Sequence, residues 1–471
     1  MEIEVQTDIF SDNGAVPINT PDNLLLANST LETESKSELM QGKIRLNTGS
    51  EELVVHMLDG VALRSDKSSE SVNISGAGKL SREPRGVHEK IPKFGNADYC
   101  FENVKKRKQW LEDKTGIPLT HLGGVPVSTE SWKGNVENLV GIAQIPIGVV
   151  GPLKIKGKHA LGSYYVPFAT TEGAIVTAYN LGAQVAYDVG GVNVKAWDNG
   201  VHISPVFFVE NMDDSNLLQT WIELNFFKIK QEAEKTTRFG TLQTIKYHYF
   251  DRRLVTQFIF NTADAQGMNM VNIACEQACK YISECTGYQY FVRSNYSSDK
   301  KISSHAILST IGKSVFAEMV IPKLFLRRLR TTPIDIEKVW RTGYLACTKA
   351  NMIGINAQAA NAIAAIFLAC GQDIAELSTS CITHDGCEIL GNGDLYFSIS
   401  ISSLSIGTVG GGTRLGTQKE CLEMMDCYGQ GQVLKLAEII GACVLCGEIS
   451  TLASIANNTF VRGHQRLGRP H

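Results

Sequence analysis

The hydrophobic pattern changes sharply near residue 94. The preceding 93 residues are rich in serine, show no sustained periodicity and contain only one aromatic residue, Phe10. Such a segment cannot bury enough apolar surface to offset the entropy of ordering it. We therefore expect a poorly ordered arm at residues 1–93, with one short helix around residues 39–63. A regulatory or docking role for this arm is the functional alternative.

Beyond residue 94 the periodicity is that of ordered structure. A charged amphipathic helix is expected at residues 103–115, and the stretch at 137–153, rich in glycine and proline, indicates turns and short strands. A strand at 164–167 leads into a helix opened by ATTEG. Thr170 or Thr171 would cap that helix, and Gly190 and Gly191 would end it.

Residues 205–291 show a different order of elements: strand, helix, strand, strand, helix. The strands are HISPVFFVE, TIKYHYF and LVTQFIF, and the helices span 216–235 and 267–286. This order predicts a compact α+β insert. Helices at 339–350, 357–370 and 430–454 dominate the remainder, where the alternating sequence LYFSISISSLSIGTVGGGT interrupts them. The predicted fold class is α+β.

Charge and composition exclude several classes of protein. The 45 basic and 48 acidic residues give a net charge of −3, so no basic excess is available to bind nucleic acid. The longest uninterrupted apolar run, residues 362–370, is much shorter than the roughly 20 residues of a membrane span. The N-terminus lacks the apolar core of a signal peptide. Twelve cysteines, many in apolar runs, suit a reducing compartment, and we expect a cytoplasmic protein.

Two polar motifs could carry catalytic chemistry. Glu172, in ATTEG, either stabilises the positive end of a helix or acts as a general acid. Lys300 and Lys301 follow Asp299 in a short polar loop. They are either solvated or positioned to polarise a carbonyl and bind an anionic group.

The remaining motifs combine backbone access with polar groups. Asn361 and Asp373 bracket an alanine-rich helix that serves either close packing or a polar site, and a buried aspartate there would need a partner. The sequence DAQGMN joins a strand to a helix, a junction suited to phosphate. Residues 407–413, GTVGGGT, either approach a ligand closely or form a tight turn. His464 is either exposed or a mobile proton donor.

Other chemistries are not supported by the spacing of residues. The chain has no G-x-G-x-x-G after a strand, so a dinucleotide would bind on a fold other than the Rossmann fold. The cysteines and histidines lack the spacing of a zinc site, and we expect no metal. No G-x-S-x-G is present, which argues against a serine hydrolase.

The order of these motifs is more specific than any one of them. From about residue 96 to residue 464 the chain closely resembles the 3-hydroxy-3-methylglutaryl-CoA (HMG-CoA) reductase family, in the soluble form of the first of its two classes. The motifs that carry the resemblance are ENLVGIAQIPIGVVGPL, VPFATTEG, TTRFGTLQ, DAQGMNM, SDKK, NAQAAN, ACGQD, GTVGGGT and the late histidine.

The resemblance implies a reaction and an architecture. The family reduces the thioester of HMG-CoA to mevalonate in a four-electron reaction that consumes two NADPH. It forms homodimers or pairs of dimers with sites across the interface, and ENLVG resembles its dimer motif. The expected architecture is a large, mostly helical substrate domain with an inserted ferredoxin-like NADP domain. The corresponding boundaries are 94–204 and 292–458 for the large domain, 205–291 for the insert, and 459–471 for a mobile tail.

The resemblance also assigns catalytic roles. Lys300 matches the lysine that stabilises oxygen charge during hydride addition, and Glu172 matches the acid that protonates the mevaldehyde oxygen. Asp373 matches the carboxylate that tunes both, so the three groups are expected to titrate as a coupled set. His464 matches the histidine that protonates the departing CoA thiolate.

Binding residues follow in the same way. Lys301 matches a contact to the substrate carboxylate, Asn361 the asparagine that orients the lysine, and Asn180 part of the CoA site. The expected cofactor residues, of which the first three would meet the 2′-phosphate and favour NADPH over NADH, are Thr237, Arg238, Phe239, Asp264, Gly267, Met268, Asn269, Gly410 and Gly411.

The departures from the family pattern affect binding. The family has methionine at Gln266, arginine at Leu181 and Ile203, serine at Arg293, and histidine at Gln358. Arg293 is a candidate substrate-binding residue because it could supply the missing positive charge. Two alternatives therefore stay open: a catalytically weak paralogue that binds an acyl-CoA or a partner subunit, and a reductase of a related acyl-CoA.

Overall fold

The computed structural model describes residues 43–47, 52–58, 61–64, 92, 94–97, 100–115 and 132–467. The chain divides into two compact units, residues 1–89 and residues 90–471. The boundary falls close to the end of the predicted arm.

The described part of the first unit is an antiparallel sheet of three strands, β1 (Lys43–Asn47), β2 (Glu52–Leu58) and β3 (Val61–Arg64). The helix expected around residues 39–63 is therefore wrong. The sequence Asp-Gly lies between β2 and β3, where Leu58 pairs with Val61, and this dipeptide is typical of two-residue hairpin turns. The remainder of the predicted arm lies outside the described residues.

The second unit alternates helices and strands. In chain order they are α1 (Phe101–Thr115), β4 (Ile147–Gly157), β5 (Leu161–Ala169), α2 (Ile175–Asp188), β6 (Val192–Ile203), β7 (Val206–Phe208), α3 (Met212–Leu224), α4 (Phe226–Glu234), β8 (Thr241–Phe250), β9 (Arg253–Asn261), α5 (Met268–Thr286), β10 (Tyr290–Phe291), α6 (His305–Leu308), β11 (Gly312–Ile321), α7 (Pro333–Lys349), α8 (Ala359–Ala369), α9 (Leu377–Ser380), β12 (Thr383–Ile389), β13 (Leu395–Leu404), α10 (Gly416–Met424), α11 (Val433–Ala456) and α12 (Phe460–Leu467). Short 3-10 helices lie at Gly95–Ala97, Phe325–Leu329, Ile374–Glu376 and Gly411–Arg414.

Ten strands of this unit form one sheet in the order β10-β7-β9-β6-β11-β13-β12, with β4 joined to β6, β5 joined to β4, and β8 joined to β9. Strand β6 is the junction. Its first part pairs with β11 and, in parallel, with β4, whereas its last three residues pair with β9. One long strand thus belongs to both halves of the sheet.

Two hydrophobic cores flank this junction. The larger core collects apolar side chains from β4, β5, β11, β13, α2, α8 and α11. The smaller core lies between Val201 and Ile282 and is formed by β7 to β9 packed against α3, α4 and α5. Val201 and Ile203 belong to the smaller core, although they precede the predicted start of the insert at residue 205.

Helix α11 runs through the middle of the larger core. It is the one helix among the described residues that is long and apolar enough to cross a membrane, and 83% of its most apolar window is buried inside the protein. It packs against α2 so closely that a Cβ at Gly182 would overlap the backbone of Cys446, and a Cβ at Gly447 would overlap the ring of Tyr179. The two glycines are therefore required for the helices to meet.

Several predicted elements need correction. The helix after ATTEG begins only after Ala174, and neither threonine caps it, whereas Gly190 and Gly191 end it as expected. The helix at 216–235 is two helices. They meet at Asn225, whose side chain donates to the carbonyl of Trp221 and competes with helix continuation.

The predicted strands also differ from the strands in the structure. HISPVFFVE is divided between β6 and β7 because Pro205 has no backbone N–H to donate to the sheet. Strands β11 and β12 are additional to the predicted elements, so strands contribute more to the larger core than a mostly helical domain would allow. Only β13 of the long alternating sequence is a strand, and GTVGGGT follows it as a loop.

The α2–α11 contact generates a prediction about stability. We expect Gly182→Ala to lower the free energy of unfolding by about 1–3 kcal/mol, because the added methyl group forces the helices apart. Gly343→Ala is the matched control. Gly343 lies within helix α7, and no atom lies within 4 Å of the position of an added Cβ. That change should be neutral or stabilising by up to about 1 kcal/mol. Chemical denaturation at equal protein concentration measures both, and equal effects would contradict the proposed packing constraint.

Candidate active site

A lysine–aspartate ion pair lies at the centre of the candidate site. The Nζ atom of Lys300 is 2.6 Å from Oδ2 of Asp373, and both side chains are about two-fifths exposed. The aspartate after the alanine-rich helix therefore has a partner, although its side chain is not buried. The hydrogen bond to Asp373 raises the pKa of Lys300 and outweighs the opposing effect of partial burial, so the lysine is held as a cation.

The loop that carries Lys300 is anchored by a second charged pair. Asp299 is 5% exposed, and its two carboxylate oxygens accept hydrogen bonds of 2.6 and 2.5 Å from one guanidinium nitrogen of Arg293. Arg293 also donates to Oδ1 of Asn272 in helix α5 at 3.0 Å. Its guanidinium is thus used inside the protein, where it ties the lysine loop to α5.

The lysine loop has an unusual backbone. Asn295, Ser298 and Lys300 all have positive φ, at 66°, 53° and 58°. Residues other than glycine seldom adopt this conformation. Because Asp299 is fixed by Arg293, the loop can hold Lys300 in this geometry and direct it towards Asp373.

The DAQG sequence between β9 and α5 lies against two other loops. The Asp264 carboxylate accepts hydrogen bonds from the backbone N–H of Gly431 at 2.8 Å and of Val433 at 3.1 Å, at the start of α11. Its backbone carbonyl accepts from Thr408 at 2.8 Å. A Cβ at Gly407 would lie 2.5 Å from the backbone nitrogen of Gln266, so only glycine permits this approach.

The glycines of the GTVGGGT loop have two roles: some allow the backbone to turn, and one allows a close contact with the segment that precedes Asp373. Gly410 and Gly411 have positive φ, and an added Cβ at either would meet no atom within 4 Å. At Gly412 the reason is packing, because a Cβ would lie 2.6 Å from the carbonyl oxygen of Gly371. Gln372 fixes this arrangement by exchanging hydrogen bonds of 2.8 and 3.0 Å with the backbone of Gly407. The loop therefore lies directly beside the segment that carries Asp373.

A buried carboxyl group completes the central cluster. Glu376 is 2% exposed, and its Oε1 atom accepts a hydrogen bond of 3.1 Å from Nε2 of Gln266. Burial raises the pKa of Glu376 to about 7, with Lys300 opposing the shift and Asp373 and Asp299 adding to it. Glu376 is not among the residues predicted from the motifs. The available signal was a second acidic residue three positions after Asp373, where a short helix places both on the same side.

The turn between α4 and β8 approaches the first turn of α5. The hydroxyl group of Thr237 accepts from the backbone N–H of Gly240 at 2.9 Å and lies 2.8 Å from the sulfur of Met270. Phe239 is 59% exposed and Arg238 is also exposed. The turn thus places two exposed side chains near the helix that Gly267 opens in a left-handed conformation.

Other predicted residues are not joined to the central pair. Among the described residues, the Glu172 side chain makes no hydrogen bond or ion pair; it is exposed, and only its backbone N–H is bonded, to Thr170. Asn361 donates to Gln358 at 3.3 Å rather than to Lys300. Lys301 donates to the carbonyl of Asp299. The predicted roles of these residues stay predictions.

Two further predicted residues, Asn180 and His464, lie in helices of the second unit. Asn180 accepts a 2.8 Å hydrogen bond from Gly151 and donates to Val149, so its amide supports β4. His464 lies in helix α12, and its side chain is outside the described part of the structure. Within the described residues, no cluster of three histidine, cysteine or acidic side chains could hold a metal ion.

A cationic lysine beside carboxylates, next to glycine-rich backbone and a helix start, is the kind of site found in enzymes that stabilise charge on a carbonyl oxygen. Comparison with known proteins gives the family. The family model described as hydroxymethylglutaryl-coenzyme A reductase matches residues 103–469. The chain belongs to this family, which confirms the family predicted from the motifs and the expected kind of enzyme, an NADPH-dependent oxidoreductase.

Curated relatives and solved structures agree. The 3-hydroxy-3-methylglutaryl-coenzyme A reductase of Methanocaldococcus jannaschii is 41% identical over 373 residues, which cover 77% of this chain and 92% of the relative. The protein of the same name from Pyrococcus horikoshii is 38% identical over 406 residues, covering 81% and 98%. The NADPH-bound class II HMG-CoA reductase structure from Streptococcus pneumoniae matches with a TM-score of 0.58 and 18% identity, covering 77% of this chain and 89% of that one. At this identity it shows a shared mixed α/β fold.

The Arg293–Asp299 contact predicts a loss of stability on truncation. We expect Arg293→Ala to lower the free energy of unfolding by about 2–4 kcal/mol, because the buried Asp299 carboxylate loses the guanidinium that is hydrogen-bonded to both of its oxygens. Arg252→Ala is the matched control, since its ion pair with Glu210 is well exposed. That variant should lose no more than about 1 kcal/mol. Denaturant titration measures both. A loss in Arg293→Ala no larger than in the control would show that Asp299 needs no partner.

Proposed function

We propose that this chain reduces the thioester of HMG-CoA to mevalonate and CoA with two NADPH, at a site centred on Lys300 and Asp373. The observation that carries the proposal is their 2.6 Å ion pair, which lies beside the DAQG loop and the GTVGGGT loop. Four sequence motifs that are far apart in the chain thus supply one cluster. The product would serve isoprenoid synthesis.

Lys300 is the group that stabilises charge in this proposal. When hydride adds to a carbonyl carbon, negative charge develops on its oxygen, and a fixed ammonium group lowers the energy of that state. Asp373 keeps the lysine protonated and fixes its direction. Arg293 acts through Asp299 by anchoring the loop. None of these residues needs to move a proton in the hydride step.

The residues around the DAQG loop fit a phosphate-containing dinucleotide. The N-terminus of α5 follows Gly267, which has no side chain to cap it. Gln266 accepts from the N–H of Met268, and the next N–H groups of the first turn would attract a phosphate group. The exposed Arg238 is suited to a 2′-phosphate, and Thr237, Phe239, Asn269, Gly410 and Gly411 would complete the cofactor site. NADPH, when bound, supplies the hydride. Asp264 would hold the loop in place through its bonds to α11.

Proton transfer is assigned to two residues outside the central pair. Glu172 would protonate the mevaldehyde oxygen, and its exposed side chain is free among the described residues to meet a ligand. His464, on the last helix, would protonate the CoA thiolate. An imidazole with an ordinary pKa near 6.5 can transfer a proton favourably to a thiolate whose acid has a pKa near 8.5. Lys301, Asn361 and Asn180 are the remaining candidate substrate residues.

We further propose the first class of the family, a ferredoxin-like insert at 205–291, and a homodimer or pair of dimers. The apolar side chains of Ile145, Ile147 and Val149, which follow ENLVG, are 37–40% exposed and support an interface there. Free thiols at all twelve cysteines support a reducing, cytoplasmic location. The class rests on the motifs, since the matched solved structures are named as class II or without a class.

Turnover of HMG-CoA with NADPH tests the proposal. Loss of reduced-nicotinamide absorbance should be observed with the parent protein, and both Lys300→Ala and Glu172→Gln should lower kcat by at least about 100-fold. Lys228→Ala, an exposed lysine on α4, is the control and should retain parental activity. No turnover with intact thioester binding would favour the weak paralogue. Turnover of a different acyl-CoA alone would favour the shifted substrate.

Cofactor selectivity gives a separate prediction. Arg238→Ala should raise KM for NADPH by about 10- to 100-fold, because a charge-assisted hydrogen bond to the 2′-phosphate is lost. KM for NADH, which lacks that phosphate, should change little. Arg253→Ala, an exposed arginine on β9, is the control and should leave both constants unchanged. Equal effects of Arg238→Ala on the two cofactors would contradict the assigned role.

A further inference from the structure

Glu376 is placed between the cofactor loop and the catalytic pair. It ends the 3-10 helix Ile374–Glu376, whose first turn is capped by the carboxylate of Asp373 through a 3.1 Å bond from the N–H of Ala375. Its own carboxyl group is buried and accepts a hydrogen bond from Gln266. The same short element therefore holds the partner of Lys300 and a second carboxyl group.

Gln266 connects this carboxyl group to the start of α5. Its Nε2 atom donates to Glu376 at 3.1 Å and to Ser405 at 3.2 Å, while its Oε1 atom accepts from the backbone N–H of Met268 at 3.2 Å. The family pattern has methionine at this position, and methionine has no donor. The departure at Gln266 thus matches the buried carboxyl group at Glu376: the amide donates to a buried oxygen, and the Ser405 hydroxyl group is a second partner of the same carboxyl group.

The charged groups that face Glu376 are those of the proposed reaction. Lys300 favours its ionised form, whereas Asp373 and Asp299 disfavour it. Burial disfavours ionisation most strongly, and the resulting pKa of about 7 means that the group changes charge near neutral pH. Each such change alters the potential at Lys300.

We propose that Glu376 is a positioning residue for the reduction: through Gln266 it holds the DAQG loop against the Asp373 segment, and its charge adjusts the strength with which Lys300 stabilises the developing oxygen charge. The inference rests on the proposed function, because it concerns the same site. When Glu376 carries its proton, the positive potential of Lys300 is opposed only by Asp373 and Asp299. When the proton is lost, a third carboxylate lies in the cluster and stabilisation of the oxygen charge is weaker.

The direction in which the rate of the hydride step changes with pH follows from these two charge states of Glu376. The hydride step should be faster below the pKa of Glu376 and should slow as pH rises through neutrality, by about three- to ten-fold. Reduction of free mevaldehyde by NADPH isolates this step, because no thiolate leaves and His464 is not needed. We therefore expect kcat for mevaldehyde to fall between about pH 6 and about pH 8 in the parent protein.

Glu376→Gln tests the inference, since the amide keeps the shape of the neutral carboxyl group and cannot ionise. The fall in kcat centred near pH 7 should disappear, while kcat at low pH stays within about three-fold of the parent. Glu284→Gln, an exposed glutamate near the end of α5, is the control and should keep the parental profile. A parental profile in Glu376→Gln, or the same change in Glu284→Gln, would overturn the inference.

A second variant covers the case in which Glu376→Gln does not fold. Gln266→Met introduces the residue of the family pattern and removes the donor to Glu376. The carboxylate then loses a stabilising hydrogen bond, so the fall in kcat should move to higher pH. An unmoved profile would overturn the inference while the proposed function stands. Absence of turnover in the parent protein, with either substrate, would instead overturn the proposed function and the role of Glu376 with it.

Discussion

The burial of helix α11 is the constraint on which the rest of the second unit depends. This helix contains two glutamates, Glu438 and Glu448, that are fully buried, and a buried carboxylate is tolerated only when hydrogen bonds replace water. Glu438 accepts from the backbone of His159 and Ala160 at 2.8 and 2.6 Å, in the turn between β4 and β5. The polar groups of a buried helix thus fix the loops around it.

Carboxylates that accept backbone hydrogen bonds also connect helix α11 to two segments of the candidate site. Glu448 accepts from the backbone N–H of Ala357 and Gln358 at 2.6 and 2.8 Å and so fixes the start of α8, the helix that leads to Asp373. At the N-terminus of α11, the Asp264 carboxylate in the DAQG loop accepts hydrogen bonds from the backbone N–H groups of Gly431 and Val433. One core helix therefore sets the positions of both the DAQG loop and the segment that carries Asp373. The close glycine contacts with α2 keep that helix in register.

The sequence allowed the α+β class, the family and most long helices to be predicted, because these depend on local periodicity and on motifs. It did not allow β11 and β12 to be recognised, since both are partly covered by other elements and do not alternate clearly. The ATTEG motif predicted a helix whose first turn contains Glu172, whereas helix α2 begins only at Ile175. The Lys300–Asp373 pair was expected only through the family resemblance. Glu376 was missed because its environment is made by Gln266 and Ser405, which are more than 25 residues away in the chain.

Three of the five departures from the family pattern share a physical feature that bears on ligand binding. Ile203 is fully buried in the smaller core, Arg293 is bonded to Asp299, and Gln266 is bonded to Glu376. In each case the substituted side chain makes its contacts within the protein. Arg293 consequently does not offer a free cation to replace the arginine expected at Ile203. In the proposed site, charge recognition of the ligands would therefore depend on the retained cations, Lys300, Lys301 and Arg238, while Arg293 and Gln266 stabilise the loops beside them. When side chains at these positions contact the protein and not the ligand, the site becomes more rigid. Ligand binding then depends more on the geometry of the site than on additional ion pairs.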